Sequence, residues 1–195
     1  MVQIVRPSSD VSSTNWTGTY ADIDETSSNG DSDFIYTPDK PNSGDYHIVH
    51  LGNPTDPEVH TGHTVRWDAC QVDGGSPQAS GGNDALLDVA LVHGALQVIH
   101  NETSIDPADG TWTAGSFTLT TGEAGNITDY SDLRLRFNAH SSGGNPASRR
   151  GIGVSWAEFE VPAAGTTATP GEPANTATAQ VVEPAIIARA GEPTG

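Results

Sequence analysis

The segment "DLRLRF", residues 132–137, decides the fold class of this sequence, because apolar and charged side chains alternate along it. Leu133, Leu135 and Phe137 share one face of an extended chain, and the charged residues between them share the other. A period of two is typical of a strand that buries one face in a core and exposes the other. The segment is therefore predicted to be a half-buried β-strand.

The same alternation recurs on both sides of this strand. "HTVRWDA", residues 63–69, is predicted to point Val65, Trp67 and Ala69 inward. "LLDVALV", residues 86–92, leads through His93-Gly94 into "ALQVIH", which predicts a tight hairpin whose Gly supplies a positive φ.

Two more strands are predicted at "GSFTLT", residues 115–120, and "GIGVSWAEFEVP", residues 151–162. The second changes phase near Trp156, which predicts a β-bulge. Weaker strands are predicted at 2–6, 18–24, 33–36 and 46–51, and one helical turn within "TGEAGNITDYSDL", residues 121–133. Roughly eight to ten short strands with turn signals between them predict an all-β fold, a single jelly-roll-like β-sandwich.

The composition supports this fold and divides the chain in two. The 195 residues include 22 Gly and 13 Pro, a turn-rich mixture that favours β over helical architecture. The sandwich is predicted to span residues 1–161, with residues 1–10 as a candidate N-terminal arm. Residues 162–195 are rich in Pro, Ala, Thr and Gly, so they are predicted to form an extended C-terminal arm that docks on another chain. The candidate anchors are Val181, Val182, Ile186 and Ile187 in the C-terminal arm, and Val2 and Ile4 at the N-terminus.

The charge of the chain limits its partners. A net charge of −17 argues against nucleic acid and against anionic membranes, since both need a basic surface. No signal peptide and no membrane span is recognisable, and the single Cys70 excludes an internal disulfide. No cofactor is expected.

Four histidines between residues 47 and 63 raise the question of a metal site. His47 and His50 are three apart on a predicted strand, so their side chains should point to opposite faces. His60 and His63 flank a turn and could converge, with Asp56 or Glu58 as an additional ligand. Hydrogen-bonded or exposed histidines without a metal are the favoured interpretation.

The loop "DIDETSSNGDSD", residues 22–33, suggests calcium but fails the twelve-residue calcium-loop pattern, because Ser27 stands where Gly is required. Asp22, Asp24, Asp31 and Asp33 remain candidates for another kind of calcium site. Cys70 has no catalytic pattern around it. The prediction is that the protein is not an enzyme.

Aromatic and basic residues offer other binding hypotheses. Trp67 and Trp156 share the parity of core residues, whereas an exposed Trp16 or Trp112 would stack on a sugar. Arg149 and Arg150 form a pair for which a solvated loop is preferred over an intermolecular contact.

Five segments of the chain point to a known group: "RPSSDVSSTNWTGTYADIDETSSNGDSDFIYTP", "TGHTVRW", "LLDVALVHGA", "FTLTTGEAGNITDYSDLRLRF" and "VSWAEFEVP". They resemble segments of a group of β-sandwich structural proteins of tailed bacteriophages. The resemblance covers roughly residues 6 to 161, and Ile127–Phe137 is its most specific part. The His-rich stretch and the 162–195 segment depart from the group.

The resemblance implies a virion component with no catalytic residues to carry over. The leading hypothesis is a capsid decoration (cement) protein, made in the host cytoplasm and located on the outside of the head. It would be a homotrimer that contacts the major capsid protein and its own neighbouring copies. A tail-associated or head-fibre protein is the alternative within this class. A carbohydrate-binding module and a metal-dependent hydrolase using His60 and His63 are the alternatives outside it.

Overall fold

The computed structural model of the chain describes residues 1–27, 33–77, 85–141 and 150–163. These residues form two antiparallel sheets. The strands are β1 (Gln3–Val5), β2 (Pro7–Thr14), β3 (Ile35–Tyr36), β4 (Asp45–Leu51), β5 (Thr64–Asp73), β6 (Ser76–Pro77), β7 (Ala85–His93), β8 (Gln97–Ile105), β9 (Thr113–Thr118), β10 (Leu133–Ser141) and β11 (Gly151–Val161). The predicted C-terminal arm from residue 164 onward, its four candidate anchors, Asp31 and Arg149 lie outside the described residues.

The two sheets pack face to face as a β-sandwich, which confirms the predicted fold class. The six-stranded sheet has the order β1-β11-β5-β6, with β3 also paired to β11 and β9 to β5. The five-stranded sheet has the order β2-β4-β10-β7-β8. Side chains of both sheets share one core cluster, in which Trp67 and Phe159 come from the first sheet and Leu135 and Phe137 from the second.

The central strand β10 follows the sequence pattern closely. Leu133, Leu135 and Phe137 are 0% exposed, while Arg134 and Arg136 between them are half-buried on the outer face. Burying each large apolar side chain contributes roughly 1.5–3 kcal/mol, so all three side chains favour this orientation of the strand. The alternation that predicts the strand therefore also determines its orientation.

The hairpin and the bulge are both present where the sequence predicts them. Strands β7 and β8 are joined through residues 94–96, where Gly94 has φ 56° and Leu96 has φ 68°. In β11 the register shifts between Val154 and Trp156. Because of this shift, Val154 and Ala157 both reach the core cluster, while Trp156 is buried outside it.

The helical prediction is confirmed, and one strand prediction is wrong. Helix α1 (Thr121–Ala124) begins with a capping box, in which the side chains of Thr120 and Glu123 each accept a hydrogen bond from the backbone N–H of the other residue. Residues 18–24, predicted as a strand, contain instead a 3₁₀ turn at Tyr20–Asp22. The Asp22 carboxylate accepts a hydrogen bond from the backbone N–H of Thr19 at 2.7 Å, which stabilises the turn rather than an extended chain.

The N-terminal residues belong to the sandwich and do not form a separate arm. Strand β1 pairs with β11, and β2 pairs with β4 after the chain crosses from one sheet to the other. Strand β2 has the sequence "PSSDVSST", lies mostly exposed at a sheet edge and contains two register shifts. It lacks an apolar alternation because neither face is deeply buried, and this is why the sequence pattern missed it.

Candidate functional site

His63, one of the two histidines proposed as metal ligands, is a hydrogen-bonded residue of the core. His63 is 0% exposed, its Nε2 lies 2.7 Å from the hydroxyl oxygen of Tyr130, and its ring stacks on Phe159 at 5.9 Å between centroids. Burial lowers the pKa of His63, and the nearby His60 lowers it further. The side chain is therefore held neutral in the interior.

Among the described residues, no group of three His, Cys, Asp or Glu side chains is placed to hold a metal ion. The His60–His63 hypothesis thus gains no third ligand in those ranges. Asp22, a calcium candidate together with Asp24, uses its carboxylate to accept hydrogen bonds from Thr19. The structure brings none of these candidates together as a coordination site.

His47 and His50 point to opposite faces of β4, as the parity argument predicts. His47 is 1% exposed on the core side, with Nε2 3.0 Å from the Asp10 carboxylate. Its pKa is lowered by burial, against the opposing effect of Asp10. His50 lies on the outer side, with Nε2 3.4 Å from the Asp132 carboxylate.

Cys70 is an inert core thiol. It is fully buried, and desolvation, together with the nearby Asp68, raises its pKa to about 12. The reactive form of cysteine is the thiolate, which this environment suppresses. Cys70 therefore supplies no nucleophile to a candidate site.

The tryptophans divide into core and surface residues in a way that parity predicts only in part. Trp67 is 2% exposed in the core cluster, as predicted. Trp156 is also buried, but on the outer side of β11, where its Nε1 donates to the backbone oxygen of Glu25 at 3.0 Å. Trp16, one of the two proposed sugar-stacking residues, is only 8% exposed and lies in the core cluster. The other, Trp112, remains half-buried at the surface.

Trp112 belongs to a continuous aromatic surface with Phe34 and Tyr36. The ring centroids of Phe34 and Trp112 lie 5.3 Å apart at 68°, and those of Phe34 and Tyr36 lie 5.6 Å apart at 53°. All three side chains are half-buried. We call these three residues the aromatic surface.

The aromatic surface lies on the outer face of the six-stranded sheet. Tyr36 is in register with Gly153, next to the core pair Ile35 and Val154. A Cβ added at Gly153 would lie 3.3 Å from both Phe34 and Trp112 and 2.9 Å from Val72. The absence of a side chain at Gly153 therefore lets the two rings approach the sheet.

Polar groups surround one side of the aromatic surface. The Gly74-Gly75 turn packs against the ring of Tyr36, and Asp39 accepts a hydrogen bond from the N–H of Gly74 at 3.1 Å. Asp73, before this turn, forms an ion pair with Arg150 and has the parity of the core residue Ala69 on β5, so it is not counted among these polar groups. Sequence reasoning found Trp112 but missed Phe34 and Tyr36. Their spacing of two in "FIY", residues 34–36, was the available signal.

A second exposed apolar group lies at the N-terminus. Met1, Val2 and Ile4 are 104%, 48% and 38% exposed, respectively. Val2 and Ile4, proposed as partner-binding residues, are thus accessible, Ile4 in strand β1 on an edge of the six-stranded sheet and Val2 just before that strand. Within the described ranges, no helix is long and apolar enough to span a membrane.

Comparison with known proteins shows similarity of fold only. No protein-family model and no curated protein matches the chain. Similar solved structures include a CBM4 structure, with a TM-score of 0.39 and 14% identity over 67% of this chain and 89% of that one. The CBM22-1 xylan-binding domain of Paenibacillus barcinonensis Xyn10C has a TM-score of 0.37 and 11% identity over 80% and 90%. The xylan-binding module CBM15 has a TM-score of 0.43 and 9% identity over 84% and 97%. Similarity at this level carries no conclusion about what this chain binds.

Proposed function

We propose that this protein is a non-catalytic β-sandwich that binds carbohydrate through the aromatic surface of Phe34, Tyr36 and Trp112. The observation that carries the proposal is that three half-buried aromatic rings form a continuous surface on the outer face of a sheet. Aromatic rings offer large apolar area at little cost in conformational entropy, and apolar faces of sugar rings pack on them.

The surroundings of the aromatic surface supply the polar part of a sugar site. Ligand sites combine apolar and aromatic area with a few fixed hydrogen-bonding groups. The carboxylate of Asp39, held by the N–H of Gly74 in the turn that packs on Tyr36, is such a group, because it can accept hydrogen bonds from sugar hydroxyls. The Gly74-Gly75 turn fixes Tyr36 from one side, so the surface is held in place before a ligand binds.

A glycan array followed by calorimetry with the best neutral oligosaccharide tests this function. We expect Trp112→Ala to weaken binding at least about tenfold, equivalent to about 1.4 kcal/mol. Trp112→Phe keeps an aromatic ring and should retain part of the affinity, which separates stacking from a general loss of fold. Thermal unfolding of both variants provides the folding control. Unchanged binding by a folded Trp112→Ala variant would exclude the aromatic surface as the site.

A virion structural role is the second candidate, and the exposed apolar residues Met1, Val2 and Ile4 favour it. Such residues at a sheet edge suit a contact with another protein, because they remove apolar area from water when covered. The sequence resemblance over residues 6 to 161 supports a capsid decoration protein, a homotrimer in contact with the major capsid protein. A tail-associated or head-fibre location is the alternative.

Occupancy on purified phage heads tests the virion role. We expect deletion of residues 163–195 to reduce occupancy, since Val181, Val182, Ile186 and Ile187 are the proposed anchors in that segment. Ile4→Asp places a charge in the exposed edge and should reduce occupancy through the second contact. Full occupancy by the deletion variant would argue against the arm, and full occupancy by Ile4→Asp would argue against the edge.

A further inference from the structure

Arg136 differs from every other arginine that the structure describes. Arg6, Arg66, Arg134 and Arg150 each form an ion pair with a carboxylate. Arg136 forms no ion pair and no side-chain hydrogen bond with any described residue. The chain has 25 acidic residues against 8 Lys and Arg, so carboxylates are in excess. An arginine without a carboxylate partner is unusual in such a protein.

The position of Arg136 holds its charge at the centre of the five-stranded sheet. Leu135 and Phe137 point into the core, so Arg136 points to the outer face of β10. It is in register with Ile48 on β4 and Ala90 on β7, which are 2% and 1% exposed. The aliphatic part of an arginine covers such apolar neighbours and leaves its guanidinium in water. The guanidinium is therefore available on a sheet face built from central strands.

Two carboxylates on this face, those of Asp132 and Asp88, already have partners. Asp132 accepts from Arg134 at 2.6 Å and lies 3.4 Å from Nε2 of His50. Asp88 accepts from the amide of Asn138 at 3.2 Å and from the backbone N–H of Ser104 at 2.8 Å. Neither lies within ion-pair distance of Arg136. Both carboxylates therefore have partners of their own, and the guanidinium of Arg136 has no ion pair with either.

We infer that Arg136 is the anchor for a carboxylate on a bound saccharide, a uronate unit in an otherwise neutral glycan. The planar guanidinium pairs with a carboxylate through two parallel hydrogen bonds. Asn138 is the next residue after Arg136 on the same face of β10, and it is in register with Tyr46 on β4. An amide and an aromatic side chain therefore flank the position of the charge. This combination suits a sugar ring that carries one acidic group.

The charge distribution favours sparse carboxylates over a dense polyanion. Nucleic acids and fully charged polymers need several cations in a row, whereas this face presents one uncompensated arginine on a chain of net charge −17. Repulsion from distant carboxylates is screened beyond about 8 Å at physiological ionic strength, while a direct ion pair is not. One uronate among neutral sugars therefore matches the surface better than an acidic polymer or a second copy of this acidic chain.

The Arg136 surface is independent of the aromatic surface, because the two occupy the outer faces of different sheets. The inference extends the proposed carbohydrate function to a second surface, and its failure is distinguishable from failure of the first. The test for the aromatic surface uses a neutral glycan and Trp112→Ala. The test for Arg136 depends on the difference between two glycans that differ by a single uronate.

Calorimetry with a matched pair of oligosaccharides, with and without one uronate unit, tests the inference. We expect the wild-type protein to bind the acidic member about ten- to a hundredfold more tightly, as a hydrogen-bonded ion pair provides. Arg136→Gln should abolish the preference. Arg134→Gln is the matched control, since it lies on the same strand and face but is paired with Asp132, and it should keep the preference.

Equal affinity of the wild-type protein for both oligosaccharides, or binding of neither, would overturn the inference. The same is true if Arg136→Gln and Arg134→Gln lose the preference equally, because the effect would then be general electrostatics. A glutamate-rich peptide that binds as tightly as the acidic oligosaccharide, or self-association that Arg136→Gln abolishes, would identify a protein partner instead and would also refute the uronate assignment.

Discussion

The hydrogen bond between His63 and Tyr130 permits a direct test of the role that the structure gives to a proposed metal ligand. His63 is 0% exposed and Tyr130 is 6% exposed, and Nε2 lies 2.7 Å from the phenolic oxygen. His63→Leu replaces the imidazole with an apolar side chain of similar size against Phe159 and leaves the Tyr130 hydroxyl without this partner. An unsatisfied buried polar group costs about 1–3 kcal/mol, so we expect the free energy of unfolding to fall by that amount.

A double-mutant cycle separates the hydrogen bond from the packing. Tyr130→Phe leaves Nε2 of His63 unsatisfied and should cost a similar amount. The double variant His63→Leu/Tyr130→Phe removes both polar partners, so its loss should be smaller than the sum of the two single losses. The expected difference is about 0.5–3 kcal/mol, the range of coupling energies between residues in direct contact.

Urea denaturation at pH 7.5 measures all four proteins, with the slope of the transition as the control for two-state unfolding. Losses that add to within about 0.3 kcal/mol, or a His63→Leu variant as stable as the wild type, would refute this account. Zinc should leave the unfolding of the wild-type protein unchanged. A zinc-dependent increase in stability that His63→Leu removes would restore the metal hypothesis.

The free energy of unfolding should also depend on pH, in a direction set by the burial of His63. The pKa of His63 is lowered in the folded protein, so below its ordinary value of 6.5 the unfolded chain takes up the proton more readily. The free energy of unfolding therefore falls as the pH falls through 6.5 and towards the folded-state pKa. His63→Leu should make this decline shallower, and His47, whose pKa is also lowered by burial, should maintain part of it.

Three further predictions concern single positions. Gly115→Ala would place a Cβ against the indole ring of Trp67, which is 2% exposed and cannot move aside. We expect the free energy of unfolding to fall by about 1–3 kcal/mol, measured in a thermal melt. An unchanged melting temperature would contradict this packing. Cys70 should not react with a thiol reagent in the folded state, because its side chain is buried and its pKa is raised to about 12. It should react fully in urea. Rapid reaction of the native protein would show that the thiol is accessible. Leu96 has φ 68° and is 41% exposed. Asn tolerates this left-handed conformation better than Leu, so Leu96→Asn should raise the free energy of unfolding by about 1 kcal/mol in urea denaturation. A loss of stability would show that packing of the Leu96 side chain stabilises the hairpin.

Strands with one buried face were predictable from the sequence, and strands at the sheet edges were not. In β10 and the first part of β5 the side chains alternate between core and solvent, and burial of one face imposes that alternation on the sequence. Strand β2 is exposed along most of its length, so no buried face imposes an apolar alternation on its sequence. Residues 18–24 were misassigned because the hydrogen bonds of Asp22 to Thr19 favour a turn, and a strand pattern does not include such local bonds.

The binding surfaces depended on tertiary structure to a greater degree. Trp112 was a candidate from its residue type alone, but Trp16 was an equal candidate until the fold placed it in the core. Phe34 and Tyr36 join Trp112 only because β3 pairs with β11, a strand more than a hundred residues away in the sequence.

The sequence by itself determined the all-β class, the hairpin, the bulge in β11 and the opposite orientations of His47 and His50, because each depends on neighbours within a few residues. The tertiary structure alone decided that His63 lies in the core beside Tyr130, and that Arg136 is the described arginine without a carboxylate. These properties depend on which side chains approach from other strands. The surroundings of Arg136 arise from the pairing of β4, β10 and β7 in space, which local alternation does not specify.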